Sequence, residues 1–455
     1  MPKMLTPTMS LPSLSRISLK RTSVKRTGDP FAALLSQQTG VLLFAAVIAI
    51  VAVCAGILIT DTSRIRDQRT GDFEHFYYAA LGMRQGSDPY ATHTHGYIYP
   101  PLIAFLFQPL SLLSRDRAAT LMLGLNVCIT LLAIGLAVDE FIRRMEMPRT
   151  LVCCLWLSLG AMVLNIDKIK GEWQMWQTDV WMLLLFVVSL RWIDRRPWMA
   201  GLALGLAINI KYIPLIFLPY LLIRRRWAAA SGLVLGTLFF AMLPASSTGF
   251  SANARNWRTA TNGIVQMTSR HPAPGQAAEV HDVKDSLSCS ITSAMARALA
   301  SHPANGFLLS AGILIGCIGL ATGMYRHRHI GLFTAGRGEN PLLTGIEWVM
   351  LIAVALAFSP QTNTRHLFDA LIFTSAACVV LSFAKPTTPR WPLLIGTAVL
   401  FLGFILPPGS RTFRGERTPA ILWLRMAGPC WCLLIAAFSL LWTGLKEVQS
   451  AEPRR

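Results

Sequence analysis

Residues 195–227, RRPWMAGLALGLAINIKYIPLIFLPYLLIRRRW, decide how this chain is built. The apolar stretch 198–223 is bounded by Arg195-Arg196 on one side and Arg224-Arg225-Arg226 on the other. Lys and Arg collect in the cytoplasmic loops of membrane proteins, so both ends of the stretch belong on one side. As continuous helix it would measure about 39 Å, whereas two full crossings need about 60 Å. It therefore reads as two short helices meeting at Asn209-Ile210-Lys211-Tyr212-Ile213-Pro214. A Lys and a Pro at that break suit backbone that lines a cavity rather than backbone facing lipid. Lys211 then looks from within the membrane toward the outer side.

The rest of the chain has the same character. Of 455 residues, 53% are hydrophobic and only 14% charged, with 42 Lys+Arg against 23 Asp+Glu. That balance excludes an ordinary soluble enzyme, a disordered chain and a collagen-like rod. Residues 41–59 (VLLFAAVIAIVAVCAGILI) carry no charge and are long enough to cross a bilayer. Similar runs follow at 118–138, 151–166, 173–190, 228–246, 306–325, 342–358, 367–384, 391–406 and 420–443. Counting the hairpin as two gives an all-α polytopic membrane protein of about 12 helices. The net charge of +19 is a topological signal and not a nucleic-acid surface, because no basic stretch is interleaved with aromatics. All cysteines but Cys289 fall in apolar runs, and there is no zinc spacing.

With the basic tail 1–40 inside, the loops 139–150, 191–197, 224–227, 326–340 and 385–390 are cytoplasmic and dense in Lys and Arg. The loops 61–100, 165–172, 247–305, 359–366 and 407–419 are outside. The membrane domain is expected over 41–446, with a first outside loop over 61–117, a large outside loop over 247–305 and a cytoplasmic tail at 447–455. The first outside loop holds two interfacial helices. One has Phe73, Tyr77, Ala80 and Leu81 at helical spacing and stops at Gly86-Ser87-Asp88-Pro89. The other starts at Pro101, after the aromatic segment Tyr97-Ile98-Tyr99.

Ionisable groups at membrane depth are costly, and here they gather on one side. Asp72, Glu74 and His75 stand in the first outside loop, Lys211 at the hairpin break, Arg255, Arg258 and Arg270 in the large loop, and Arg365-His366 before the span at Leu367. Asp72 reads equally as a helix N-cap or as a catalytic carboxylate. His75 shares a helix face with Asp72 and either orients it or, like Glu74, belongs to a solvated polar face. Lys211 in a buried hairpin needs an anion, and a phosphate is the natural one. Arg365-His366 reads as a boundary anchor or as part of a site. Asp179, Glu347, Asp369 and Arg425 sit near span ends, where snorkelling accounts for them. No phosphate-loop, dinucleotide, zinc-protease or nucleophile-elbow motif is present, so no cofactor or metal is expected.

These residues resemble a known family. Gly71-Asp72-Phe73-Glu74-His75-Phe76-Tyr77-Tyr78-Ala79-Ala80, Gly86-Ser87-Asp88-Pro89-Tyr90 and Tyr97-Ile98-Tyr99-Pro100-Pro101-Leu102 look like the first-loop signature of glycosyltransferase family 87. The glycine-rich run from Gly201 to Lys211 and Pro214 is similar to that family's helical pair, and Ser359-Pro360 with Arg365-His366 to its Ser-Pro…His segment. In the large loop, Lys284-Asp285-Ser286-Leu287 stands where the family often has Asn-Gln-Ser-Leu. The resemblance implies a GT-C membrane fold in a bacterial inner membrane, with both termini cytoplasmic and the active site outside. It implies transfer of a hexose, most simply mannose, from a polyprenyl phosphate to a glycolipid or glycan, by inverting single displacement. On that reading Asp72 is the general base. Lys211, His366, Arg270 and Arg297 contact the donor phosphate, while His75, Glu74, Tyr97, Tyr99 and Arg365 contact substrate. The competing readings are a flippase for lipid-linked sugars and a non-catalytic lipid-binding protein. A flippase should carry paired broken helices in two related halves, and only one broken pair is visible.

Overall fold

A computed structural model describes residues 72–91, 97–268, 282–285, 288–331, 340–360, 362–405 and 419–450. The expected basic tail, the first span at 41–60 and Arg270 lie outside the described residues. Among the described residues every regular element is helical. Six helices are long and apolar enough to cross a membrane.

Both helices expected in the loop before the span at 118–138 are present. Helix α1 covers Phe73–Arg84 and buries Phe73, Phe76, Tyr77 and Ala80. It ends before Gly86, whose φ of +76° favours a residue without Cβ. Helix α2, Pro101–Leu106, begins with Pro at its first turn, where no N–H is needed. Helix α3, Arg115–Arg144, then runs about 45 Å, long and apolar enough to cross a bilayer.

The next segment departs from expectation. The outside loop expected at 165–172 is helical. Helix α4, Leu151–Leu164, is followed by α5, Ile166–Met175, bent from it by 76°. Trp176 ends α5 in the left-handed region at φ +50°. Helix α6 starts only at Asp179 and stops at Trp192, short of the span expected from 173. Asn165, Lys168 and Glu172 are thus turned inward against the protein, while Asp167 and Lys170 stay exposed.

The hairpin forms as read. Helix α7, Pro197–Ile208, and α8, Phe217–Ile223, flank the break at Lys211, with a 3-10 turn at Ile213–Ile216 between. Helix α9, Trp227–Met242, lies against α7 at very close range. A Cβ at Gly201 would stand 2.0 Å from the Ala229 carbonyl oxygen, and one at Gly232 would stand 2.3 Å from that of Trp198. Small residues at this spacing let two membrane helices touch backbone to backbone. Asn209 locks the tip by donating through Nδ2 to the carbonyls of Gly205 (2.9 Å) and Thr237 (3.1 Å).

Helix α10, Phe250–Thr268, and α11, Ile291–Ala298, belong to the large loop. Helices α12, Pro303–His327, α13, Pro341–Phe358, α14, Leu371–Phe383, and α15, Trp391–Ile405, complete the central spans. The last span, expected from 420, divides into a short α16, Pro419–Arg425, and α17, Gly428–Gln449, with Ala427 left-handed between them.

The two ends of α3 mark the two faces of the molecule. Its first residue, Arg115, pairs with Glu74 at 2.7 Å. Its last turn carries the buried pair Arg144–Glu140 at 2.7 Å, and Arg144 also reaches Asp194 at 3.0 Å. Asp194 in turn takes Arg226 at 3.0 Å, which closes the base of the hairpin. The arginine-rich loops therefore meet at one end, and the hairpin tip with the first outside loop lies at the other.

Candidate active site

Asp72 precedes α1 with φ −63° and ψ −10°, and its side chain makes no capping hydrogen bond. The carboxylate reaches across the molecule instead. Its Oδ2 accepts from Arg365 Nη1 at 2.8 Å and also from Gln177 Nε2. The guanidinium of Arg365 is desolvated by burial, which lowers its pKa. Asp72 more than offsets this, and the value rises above the usual one.

Gln177 is aimed by the joint between α5 and α6. Asn126 of α3 donates through Nδ2 to the Gln177 carbonyl at 2.9 Å and accepts from Trp181 Nε1 at 3.1 Å. Trp173 Nε1 donates to Thr130 Oγ1 at 3.0 Å. These buried bonds hold the left-handed turn at Trp176 and present Gln177 and Asp179 to the same space.

Lys211 finds an anion within the chain: its Nζ pairs with Oδ1 of Asp179, at the first residue of α6. Asp179 is fully buried, and its backbone N–H donates to Glu172 Oε1 at 3.1 Å. Lys211 Nζ also lies 5.5 Å from the centre of the Tyr99 ring. Burial pushes the Tyr99 phenol up to about 12. Lys211 opposes that rise, and Asp72, Asp179 and Arg365 act on the same hydroxyl. Tyr99 is therefore within electrostatic reach of both the Asp72–Arg365 pair and the Lys211–Asp179 pair. At neutral pH its phenol is therefore protonated.

Arg365 and His366 are positioned by the large loop. Ser288 Oγ donates to the carbonyls of Pro360 and Thr362, both at 3.2 Å. Ser293 Oγ donates to Pro360 O at 2.7 Å, and Cys289 N–H to Thr362 O at 2.7 Å. This fixes the turn from which the 3-10 segment His366–Ala370 begins. His366 Nδ1 accepts from Asn363 N–H at 3.4 Å, and its ring acts on Asp179.

Other residues singled out from the sequence lie elsewhere. Glu74 is engaged by Arg115. Tyr97 is fully buried, with its hydroxyl donating to Pro100 O at 2.6 Å and accepting from Ala104 N–H at 3.2 Å. His75 is buried on α1. Arg297 donates to three carbonyls, those of Asp285 (2.7 Å), Ser288 (3.0 Å) and Arg425 (2.7 Å), and so ties the large loop to α16. The snorkelling reading fails for Asp179 and Asp369, which are wholly buried, and for Glu347, which accepts from Tyr220 and Tyr325 at 2.7 and 2.6 Å. Glu172 and Gln177 were not foreseen. The signal was present as a polar run, Gly171-Glu172 through Gln177-Thr178-Asp179, placed between apolar stretches and carrying two Trp.

The family model of glycosyltransferase family 87 matches residues 97–360, more than half of the chain. A polyprenol-phosphate-mannose-dependent alpha-(1-2)-phosphatidylinositol mannoside mannosyltransferase of Mycolicibacterium smegmatis is 31% identical over 150 residues, covering 29% of this chain and 33% of the relative. An alpha-(1->3)-arabinofuranosyltransferase of Mycobacterium tuberculosis is 29% identical over 186 residues, 38% of this chain and 40% of the relative. A phosphatidylinositol pentamannoside mannosyltransferase of M. smegmatis, also polyprenol-phosphate-mannose-dependent, is 26% identical over 270 residues, 59% and 58% of the two chains. The matched stretches thus span between a third and three-fifths of these relatives.

Proposed function

This chain belongs to glycosyltransferase family 87, and from that membership we propose that it transfers a sugar from a polyprenyl phosphate to a glycolipid or glycan acceptor. The sugar is a hexose, most simply mannose, as in the names of two of the relatives. One observation carries the reading: the first-loop Asp72, paired with Arg365, and Lys211 of the hairpin tip both lie within electrostatic reach of Tyr99. A base and a cation side by side are what displacement at a sugar phosphate requires.

Asp72 takes the proton of the acceptor hydroxyl as that oxygen attacks C1. The C1–O bond to the phosphate breaks on the opposite face, and polyprenyl phosphate leaves with the electron pair. The leaving group is already a stable anion, so it needs cations more than a proton. Lys211 leads in this role, and Arg365 and His366 stand beside it. Arg365 also pairs directly with Asp72 at 2.8 Å and so holds the carboxylate in place. Arg297, held by three carbonyls, supports the loop and stays outside this step.

The arginine-rich end faces the cytoplasm by the positive-inside rule. The site then opens to the periplasm or exterior of a bacterial inner membrane, with both termini inside. Twelve helices are reached when the six long ones among the described residues are joined by the bent pair, the shorter apolar helices and α6, together with the span expected from the sequence at 41–60. The arabinofuranosyltransferase among the relatives supports a pentose as the alternative sugar.

Purified protein in lipid nanodiscs, given labelled polyprenyl-phosphate-mannose and a membrane lipid extract, should release labelled glycolipid. Label that crosses the bilayer still attached to polyprenyl phosphate would support a flippase instead.

A further inference from the structure

The Asp72 and Lys211 sites leave a set of buried oxygen atoms unused. Glu172, Asp179 and Asp369 are each wholly buried. Neither oxygen of Asp369 has a hydrogen-bond partner among the described residues, and the same is true of Glu172 Oε2, Asp179 Oδ2 and Gln177 Oε1. The groups belong together. The 3-10 turn His366–Ala370 packs against both α5 and α6. Asp369 lies within electrostatic reach of Asp179 and Lys211, and Glu172 within reach of Asp179, Asp369, Lys211 and Arg365. In a 3-10 turn residues three apart are eclipsed, so Asp369 and His366 stand on the same side.

A buried carboxyl oxygen without a partner is costly, and several together need a common explanation. The free atoms are oxygen acceptors, so the ligand that completes them brings hydrogen-bond donors. A fully ionised phosphate brings none. A metal ion does not fit, because no three His, Cys, Asp or Glu among the described residues are placed to hold one. A polyol brings several O–H donors and no charge.

We propose that Asp369 and Glu172, with Gln177 and Asp179 beside them, form a hydroxyl-recognition lobe that binds the sugar ring of the donor. It adjoins the cationic lobe of Lys211, Arg365 and His366, which takes the phosphate. The inference rests on the transferase reading above and adds to it the residues that select the sugar. The cationic lobe accepts any polyprenyl phosphate, whereas the acidic lobe distinguishes a sugar-bearing one from a bare one. Sites built to pair a substrate hydroxyl discriminate strongly against analogues that lack it.

The test is binding of two probes, polyprenyl-phosphate-mannose and sugar-free polyprenyl phosphate, to full-length protein in nanodiscs. Wild type should bind the mannosylated lipid more tightly. In Asp369→Asn and Glu172→Gln the added affinity due to the sugar should fall by about tenfold or more. Binding of sugar-free polyprenyl phosphate should be unchanged, which also shows that the variants fold. A series of monodeoxy-mannosyl donors should then show one hydroxyl whose removal weakens wild type but not Asp369→Asn. A sugar contribution that persists in both variants overturns the lobe and leaves the transferase reading standing. Failure of wild type to bind either lipid overturns both.

Discussion

Asp72 and Arg365 lie 293 positions apart in the chain and form one ion pair. Neither the distance nor the pairing is written in local sequence, which left Asp72 open between cap and base. Its side chain makes no cap, so replacing it has no helix-end penalty to confuse the result. Lys211 is less simple. Removing it alone leaves Asp179 buried and unpaired, which costs about 3–5 kcal/mol. Lys211→Met should therefore lower the melting temperature in detergent. The double variant Lys211→Met with Asp179→Asn should regain most of that stability. Both should bind sugar-free polyprenyl phosphate about tenfold to hundredfold more weakly, as expected for loss of a charge-assisted hydrogen bond. Equal affinity in the double variant would remove Lys211 from the phosphate site. Tyr99→Phe should leave the pH profile of transfer unchanged below about pH 9, since a phenol at about 12 does not titrate there. A shifted profile would give Tyr99 a proton-transfer role.

At the level of elements, the hairpin was legible because three independent signals agreed: arginines at both ends, too few residues for two crossings, and Pro with Lys in the middle. The bend between α4 and α5 was not legible. In sequence, Glu172 and Asp179 lie near span ends, where charged residues usually reach water. The 76° turn directs that end into the protein, and position along the chain cannot reveal it. The α7–α9 contact explains why Lys211 is held so firmly. Gly201→Leu would drive a side chain into the Ala229 carbonyl, so it should cost at least about 2 kcal/mol and displace the tip. Reduced donor binding with an otherwise helical, monodisperse protein is the expected result. At the opposite end, Arg144→Leu removes one of the two arginines that hold the buried Glu140 while Arg143 remains, and should destabilise by about 1.5–3 kcal/mol without touching the transfer step. Unchanged thermal stability in this variant would mean that the pair is not formed.

On the scale of the whole molecule, charge and chemistry separate to opposite ends. Arginines 143, 144, 191 and 226 engage Asp139, Glu140 and Asp194 at one end of α3. At the other end stand Asp72, Tyr99, Lys211 and Arg365. That separation was visible in the sequence through the loop charges, although which residues touch was not. On the proposed transferase reading the acceptor hydroxyl, the sugar and the lipid phosphate meet at that second end, in a site assembled from the first loop, the hairpin tip and the turn before α14. The most direct measurement of that claim is sugar transfer from labelled polyprenyl-phosphate-mannose by purified Asp72→Asn protein, with donor binding recorded on the same sample. The account predicts that the donor still binds while transfer falls by a factor of about 100 to 10,000. Transfer at the wild-type rate would contradict it.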